Sequence, residues 1–180
     1  SARPVKRIET TPLGTPRAVQ ALVLRKGPRG YEVLLTKRIP EIHLGGFWTP
    51  PGGGRKPNPL AKDGLESISQ VALRETQEET HVELKRENIL GRLDDVFVTN
   101  LWTDEPIALM SPVVVLVPQG TQYYPAPETE KGEWLLVSEL QQPDIFQRLA
   151  RAREMHIDSF TQQVLRQLSN VATGRSPVPE

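Results

Sequence analysis

The stretch "ESISQVALRETQEETHV", residues 66–82, decides how this chain is read. Ser67 followed three positions later by Gln70 matches a capping box, so a helix is predicted to begin at Ser67 or Ser69. Ile68, Val71 and Ala72 supply its buried stripe, with Leu73 or Thr76 at the margin. At ~100° per residue, Glu75, Glu78 and Glu79 then share one sector of the surface. Like charges at such spacings cost roughly 0.2–0.5 kcal/mol per exposed pair, so repulsion alone decides nothing. Most charge runs on helices are simply solvated. The other reading is a bound cation. Mg²⁺ takes oxygen ligands and keeps several waters, which leaves it able to engage phosphate.

Context upstream separates the two readings. Glu66 stands eight positions before Arg74, and a glycine-rich loop, "PPGGG" (50–54), lies before both. From Glu66 through Val82 the chain resembles the Nudix box of the Nudix hydrolases, with every charged position of that pattern kept at its spacing. There are departures. Twelve residues (54–65) separate Gly53 from Glu66 where the family pattern has five, an insertion of about seven. Thr76 replaces the usual aliphatic residue, and His81 stands where the family has a Gly, a position that often needs a left-handed backbone.

What the resemblance implies can be carried onto these residues. Glu75, Glu78 and Glu79 look like metal ligands, with the Gly53 carbonyl as a backbone ligand, for Mg²⁺ or Mn²⁺. Arg74 would orient the carboxylates and Glu66 would support loop and helix. The implied activity is a pyrophosphohydrolase that directs water onto a diphosphate linking a nucleoside to another moiety. The base would be Glu79 or Glu75 on the helix, or Glu128 or Glu130 of the later acidic loop "APETEKGEW", with Glu133 assigned to a strand.

For the substrate, "LLTKR", "ALRETQEET" and "LGRLDDV" look like the coenzyme A diphosphatase branch, though "KRIPEIHLGGFWTPPGG" meets that branch's extra motif only in part. Arg38, His43 and Trp48 are the candidate substrate contacts, and Trp102 could stack on a base. Coenzyme A or a related nucleotide is therefore one expected substrate. The competing reading is a catalytically silent Nudix-fold module that senses a nucleotide. Intact Arg74, Glu75, Glu78 and Glu79 argue against it.

Elsewhere the chain reads as one domain. Its 180 residues suffice to bury a core. Lys plus Arg and Asp plus Glu each number 22, so net charge gives no indication of nucleic acid or membrane surfaces as partners. Cysteine is absent, which excludes disulfides and thiolate chemistry and fits a reducing compartment. No apolar run approaches the roughly 20 residues of a membrane span. A soluble, cytoplasmic protein is the expectation, its oligomeric state open and a homodimer compatible.

"AVQALVLRK" (18–26) and "YEVLLTKR" (31–38) flank the turn "GPRG" and predict two antiparallel strands. Further strands are expected at 90–98, 108–117 and 132–137. "PDIFQRLARA" predicts a helix with Pro143 in its first turn, and Ile157, Phe160, Val164 and Leu168 mark the apolar stripe of another. Strands mixed with helices imply an α/β or α+β domain. The resemblance sharpens this to a Nudix-like α/β/α sandwich with a mixed central sheet over 17–170. An N-terminal arm (1–16) and a C-terminal tail (171–180) flank it.

Overall fold

Alternation along the first strand sets the architecture. In β1 (Ala18–Gly27), Leu22 and Leu24 are buried on one face while Val19, Ala21 and Val23 are buried on the other. A strand apolar on both faces belongs at the centre of a covered sheet. The computed structural model, which describes residues 14–42, 44–99, 103 and 105–172, places it there. β1 runs antiparallel to β2 (Gly30–Arg38) and parallel to β7 (Pro106–Leu116), so the sheet is mixed.

Around this centre stand β3 (Trp48–Thr49), β4 (Gly52–Gly54), β5 (Ile89–Arg92), β6 (Val96–Thr99) and β8 (Thr129–Leu136). Strand β8 takes one edge of β2 along most of its length, so β3 must share the other edge with β1. Strand β4 likewise takes the edge of β1 that faces β2, at Ala18–Gln20. The two central strands therefore splay, and the glycine-rich segment enters the gap between them as short strands.

Helix α1 (Ile68–Thr80) covers one face, packing Val71 and Ala72 on Val19, Ala21, Leu34, Val113 and Val115. Helices α2 (Ile145–Arg153) and α3 (Ser159–Ala172) cover the other, with Phe146, Phe160, Val164, Leu165 and Leu168 against Leu22, Leu35 and Val114. The arrangement is the expected α/β/α sandwich with a mixed central sheet. No helix among the described residues is long and apolar enough to cross a membrane.

Several expectations need correction. The strand expected at 90–98 is two, because the ladder to β7 stops between the Arg92–Val113 and Val96–Met110 pairs. That interruption lies opposite Pro112, which has no N–H to give a ladder bond. Pro143 is not in the first turn of α2; Asp144 is the residue before the helix. Thr76 is fully buried rather than marginal, its hydroxyl donating to the Ala72 carbonyl at 2.7 Å. Ile157 is buried ahead of α3 rather than within it, and that helix extends to Ala172. Residues 1–13 and 173–180 lie outside the described residues.

Candidate active site

The acidic face is built by the capping that the sequence predicts. Ser67 Oγ accepts the Gln70 N–H at 3.1 Å, and His81 closes the helix with a left-handed backbone, φ 55°. Between these caps Glu75, Glu78 and Glu79 share a face but differ in exposure. Glu79 is 4% exposed, whereas the Glu78 side chain is 52% exposed. Burial, followed by the charges of Glu75 and Glu78, pushes the Glu79 carboxyl up to about 8, against the opposing pull of Arg38. Burial and the Glu78 charge push Glu75 up to about 7, against the pull of Arg74. Neighbouring carboxylates in a desolvated cleft raise one another because the second charge is harder to form than the first. The buried Glu79 Oε2 has no hydrogen-bond partner.

Strand β4 brings the glycine loop onto this face. A Cβ on Gly53 would overlap Glu75 Oε1, so the carboxylate rests directly against the Gly53 backbone. Arg74 sits among the acids, with Nη2 on Glu66 Oε1 at 3.0 Å, Nη1 on Glu75 Oε1 at 2.9 Å, and Glu78 Oε1 at 3.7 Å. The Arg74 hydrogen bond holds the Glu66 carboxyl below the usual range. Glu66 also accepts the Lys56 N–H at 3.3 Å, tying the helix to the returning loop. Arg74 thus bridges Glu66 to Glu75 and Glu78 on this face.

The insertion has an organiser that the sequence reading missed. Arg55 donates to the Glu66 carbonyl at 2.7 Å, the Pro16 carbonyl at 2.9 Å and Asp63 at 2.8 Å. A Pro57–Leu65 bridge closes the excursion and leaves Leu60 exposed at its tip. Loop 54–65 is thus a pinned side excursion, and the motif geometry survives its added length.

The opposite wall is the segment leading into β8. Tyr124 N–H donates to the Glu79 carbonyl at 2.7 Å, and Tyr123 Oη lies 2.6 Å from Thr129 Oγ1. Glu128 is carried between these anchors, and its charge raises both Glu75 and Glu79. Glu130 is paired with Lys37 at 3.6 Å, and Glu133 with Arg153, so neither is the better candidate in this loop.

A cleft of about 240 Å³ results, lined among others by Arg38, Arg74, Glu75, Glu78, Glu79 and Glu128. It adjoins a second of about 350 Å³, walled by Gln20, Leu44, Val98, Met110 and Phe160. Arg38, Pro50, Gly52 and Glu128 line both. Arg38 is therefore at the seam, where a substrate contact was expected. Trp48 is not: it is 5% exposed, packed in the core below α3, and lines neither cleft. Its backbone is fixed by donation to the His156 carbonyl at 2.9 Å. His43 and Trp102 lie outside the described residues.

The residues fit a divalent cation. Glu79 Oε2 lacks a partner, and the Glu75 carboxylate occupies the space that a side chain at Gly53 would fill. Among the described residues, no three acidic or imidazole side chains are gathered closely enough to hold a metal ion as they stand. Arg74, seated among Glu66, Glu75 and Glu78, holds all three in ion pairs.

The family model described as NUDIX domain matches residues 14–155, and the chain belongs to that family. No curated protein sequence matches it. Among solved structures it is similar to a C. elegans Ap4A hydrolase binary complex, at 18% identity and TM-score 0.60, covering 89% of this chain and 99% of that one. It is also similar to the NUDIX domain of Shewanella oneidensis NrtR complexed with ADP ribose, at 19% identity, TM-score 0.53 and 86% of each chain. A third is the bifunctional NMN adenylyltransferase/ADP ribose pyrophosphatase of Francisella tularensis complexed with AMP and Mn ion, at 17% identity and TM-score 0.54. The match covers 89% of this chain and 43% of that one. At such identities the likeness establishes the fold, and the substrate has to be argued from the site.

Proposed function

We propose that this chain hydrolyses the diphosphate linkage of a nucleoside diphosphate joined to a second moiety, with Mg²⁺ or Mn²⁺ held by Glu75, Glu78, Glu79 and the Gly53 carbonyl. The observation that carries the reading is the continuity of an acid-lined cleft with a larger, mainly apolar one through Arg38 and Glu128. A diphosphate fits the first and the group attached to it the second. When bound, the cation supplies Lewis-acid polarisation of the phosphate oxygens and offsets the carboxylate charge.

The chain's own residues do the rest. Arg38 lines the seam as a positive charge beside the acidic wall and draws the phosphates there. Arg74 holds Glu75 and Glu66 and so orients the acidic face. Water adds to one phosphorus, the bridging P–O bond breaks with its electron pair going to the departing phosphate, and the water proton passes to a carboxylate. Three carboxylates can take it: Glu79 and Glu75, both raised by burial, and Glu128 across the cleft. Glu128→Gln tests the last of these, since it abolishes turnover only if Glu128 is the acceptor.

The test is a screen of coenzyme A, dinucleoside polyphosphates, ADP-ribose, nucleotide sugars, nucleoside triphosphates and capped RNA with each metal. Hydrolysis of at least one class is expected, with strong loss in folded Glu78→Gln and Glu79→Gln. Near-normal activity in both variants would sink the metal assignment. Binding without hydrolysis across the panel would instead favour a sensor module.

A further inference from the structure

We infer that Gln20 reads the group attached to the diphosphate, and that the apolar cleft selects a ligand presenting a hydrogen-bond donor, as the exocyclic amino groups of adenine and cytosine do. The inference rests on the proposed diphosphate chemistry and deepens it.

The argument starts at Asp158, which is 4% exposed at the start of α3. Asp158 accepts the Thr161 N–H at 2.9 Å and the Thr161 hydroxyl at 3.1 Å. The one hydroxyl hydrogen of Thr161 is thereby used, and its oxygen can only accept from Gln20. The amide end facing Thr161 Oγ1, at 3.3 Å, is therefore the nitrogen, Nε2. The chain of donors fixes which way the amide is turned.

That leaves the oxygen. Gln20 Oε1 is buried with no partner, and Gln20 is a wall residue of the 350 Å³ cleft. A buried amide oxygen without a donor is costly, and an apolar side chain of similar shape would pack β1 against α3 without that cost. Its neighbours on the same strand are apolar, which makes the lone amide an exception to the packing pattern. Leu44, Val98, Met110 and Phe160 give the cleft an apolar surround of a size suited to a small ligand. Arg38 also lines the cleft, but it only donates, so it cannot accept from a ligand amino group in place of Oε1. Glu128 accepts but stands at the seam with the acidic cleft. An amino group supplies what Oε1 lacks, whereas a keto oxygen in the same place meets it lone pair to lone pair.

Two measurements decide the matter. Calorimetric binding of AMP and IMP to the wild-type chain, with Mg²⁺ present, is expected to favour AMP by about tenfold or more. Any diphosphate ester that the chain cleaves, taken in adenosine and inosine forms and in cytidine and uridine forms, is expected to show the same preference, expressed in KM rather than kcat. Gln20→Leu narrows the preference with the loss falling on the amino-bearing member, and Thr161→Val, which lets the amide turn over, narrows it too. Equal wild-type binding of AMP and IMP overturns the inference, as does an undiminished preference in folded Gln20→Leu. Should Gln20→Leu not fold, the wild-type comparison and Thr161→Val decide. Hydrolysis without base preference defeats this inference alone; base preference without any hydrolysis defeats the proposed activity alone.

Discussion

The His81 ring lies flat on the Tyr124 ring, centroids 4.5 Å apart and planes 3° from parallel. Beneath it, Tyr124 N–H donates to the Glu79 carbonyl at 2.7 Å. Together they clamp the segment that carries Glu128 onto the end of α1. His81 occupies a left-handed position where the family pattern has glycine, so this chain accepts some backbone strain and gains a stacked pair. His81→Gly should relieve the strain and lose the stack, leaving stability within about 1 kcal/mol of the wild type. Turnover should drop severalfold as Glu128 loosens, with metal affinity kept. Hydrogen exchange over 120–129 checks the cause; unchanged exchange and unchanged turnover would dispose of the clamp.

Two adjacent glycines should fail in different ways. A Cβ at Gly53 meets the end of the Glu75 side chain, which can swing aside, so Gly53→Ala should fold normally. The displaced carboxylate is a proposed cation ligand, and a loss on the order of 10–100-fold in turnover is expected. A Cβ at Gly52 would sit 2.7 Å from the Val19 carbonyl, which is backbone of the central strand and cannot yield cheaply. Gly52→Ala should therefore lower the melting temperature measurably. Parallel thermal melts and assays separate the two; equal destabilisation in both would show that Gly53 is merely a packing glycine.

The legible part of this site was the part written along one helix. Arg74, Glu75, Glu78 and Glu79 are spaced by helical geometry, so their shared face follows from local sequence, and Glu66 just before the N-cap reaches it through Arg74. Contacts between distant segments were not legible in the same way. The Gln20–Thr161 bond spans 141 residues, and nothing in either neighbourhood announces the other. The only local signal was one amide inside the apolar run "AVQALVLRK". Trp48 misled for the converse reason. A tryptophan in a glycine-rich loop reads as a ligand contact, but the splay of β1 and β2 draws that loop into the core as strands.

Thr76 tests how a buried hydroxyl is tolerated where the family has an aliphatic residue. Its hydroxyl reaches only the Ala72 carbonyl one turn back, a bond that adds little because that carbonyl is already within the helix. Thr76→Val keeps the shape and removes the polar atom. Stability is expected to stay level or rise by about 0.5 kcal/mol, with activity kept. A loss above about 1 kcal/mol in denaturant titration would mean that the hydroxyl has a larger structural role than the helix bond indicates.

The pH dependence of the metal-free protein follows from the two raised carboxyls. Glu79 at about 8 and Glu75 at about 7 lie above the ordinary 4.5 that both take in the unfolded chain. Between these values the folded state holds more protons than the unfolded state, so stability falls as pH rises. Their contribution is fully present below about 4.5 and lost as pH climbs through 7 and 8. Glu66, held low by Arg74, acts in the opposite direction, but its contribution is already in place once pH exceeds its unfolded value of about 4.5. In chelator, the melting temperature should therefore decline from pH 5.5 to 8.5, and Glu79→Gln should flatten that decline. Added Mg²⁺ should restore more stability at pH 8.5 than at pH 6, because the carboxylates bind a cation only when ionised. A melting temperature flat across this range in chelator would show that these carboxyls are not raised, and a Mg²⁺ effect that shrinks with rising pH would show that they are not the cation's ligands.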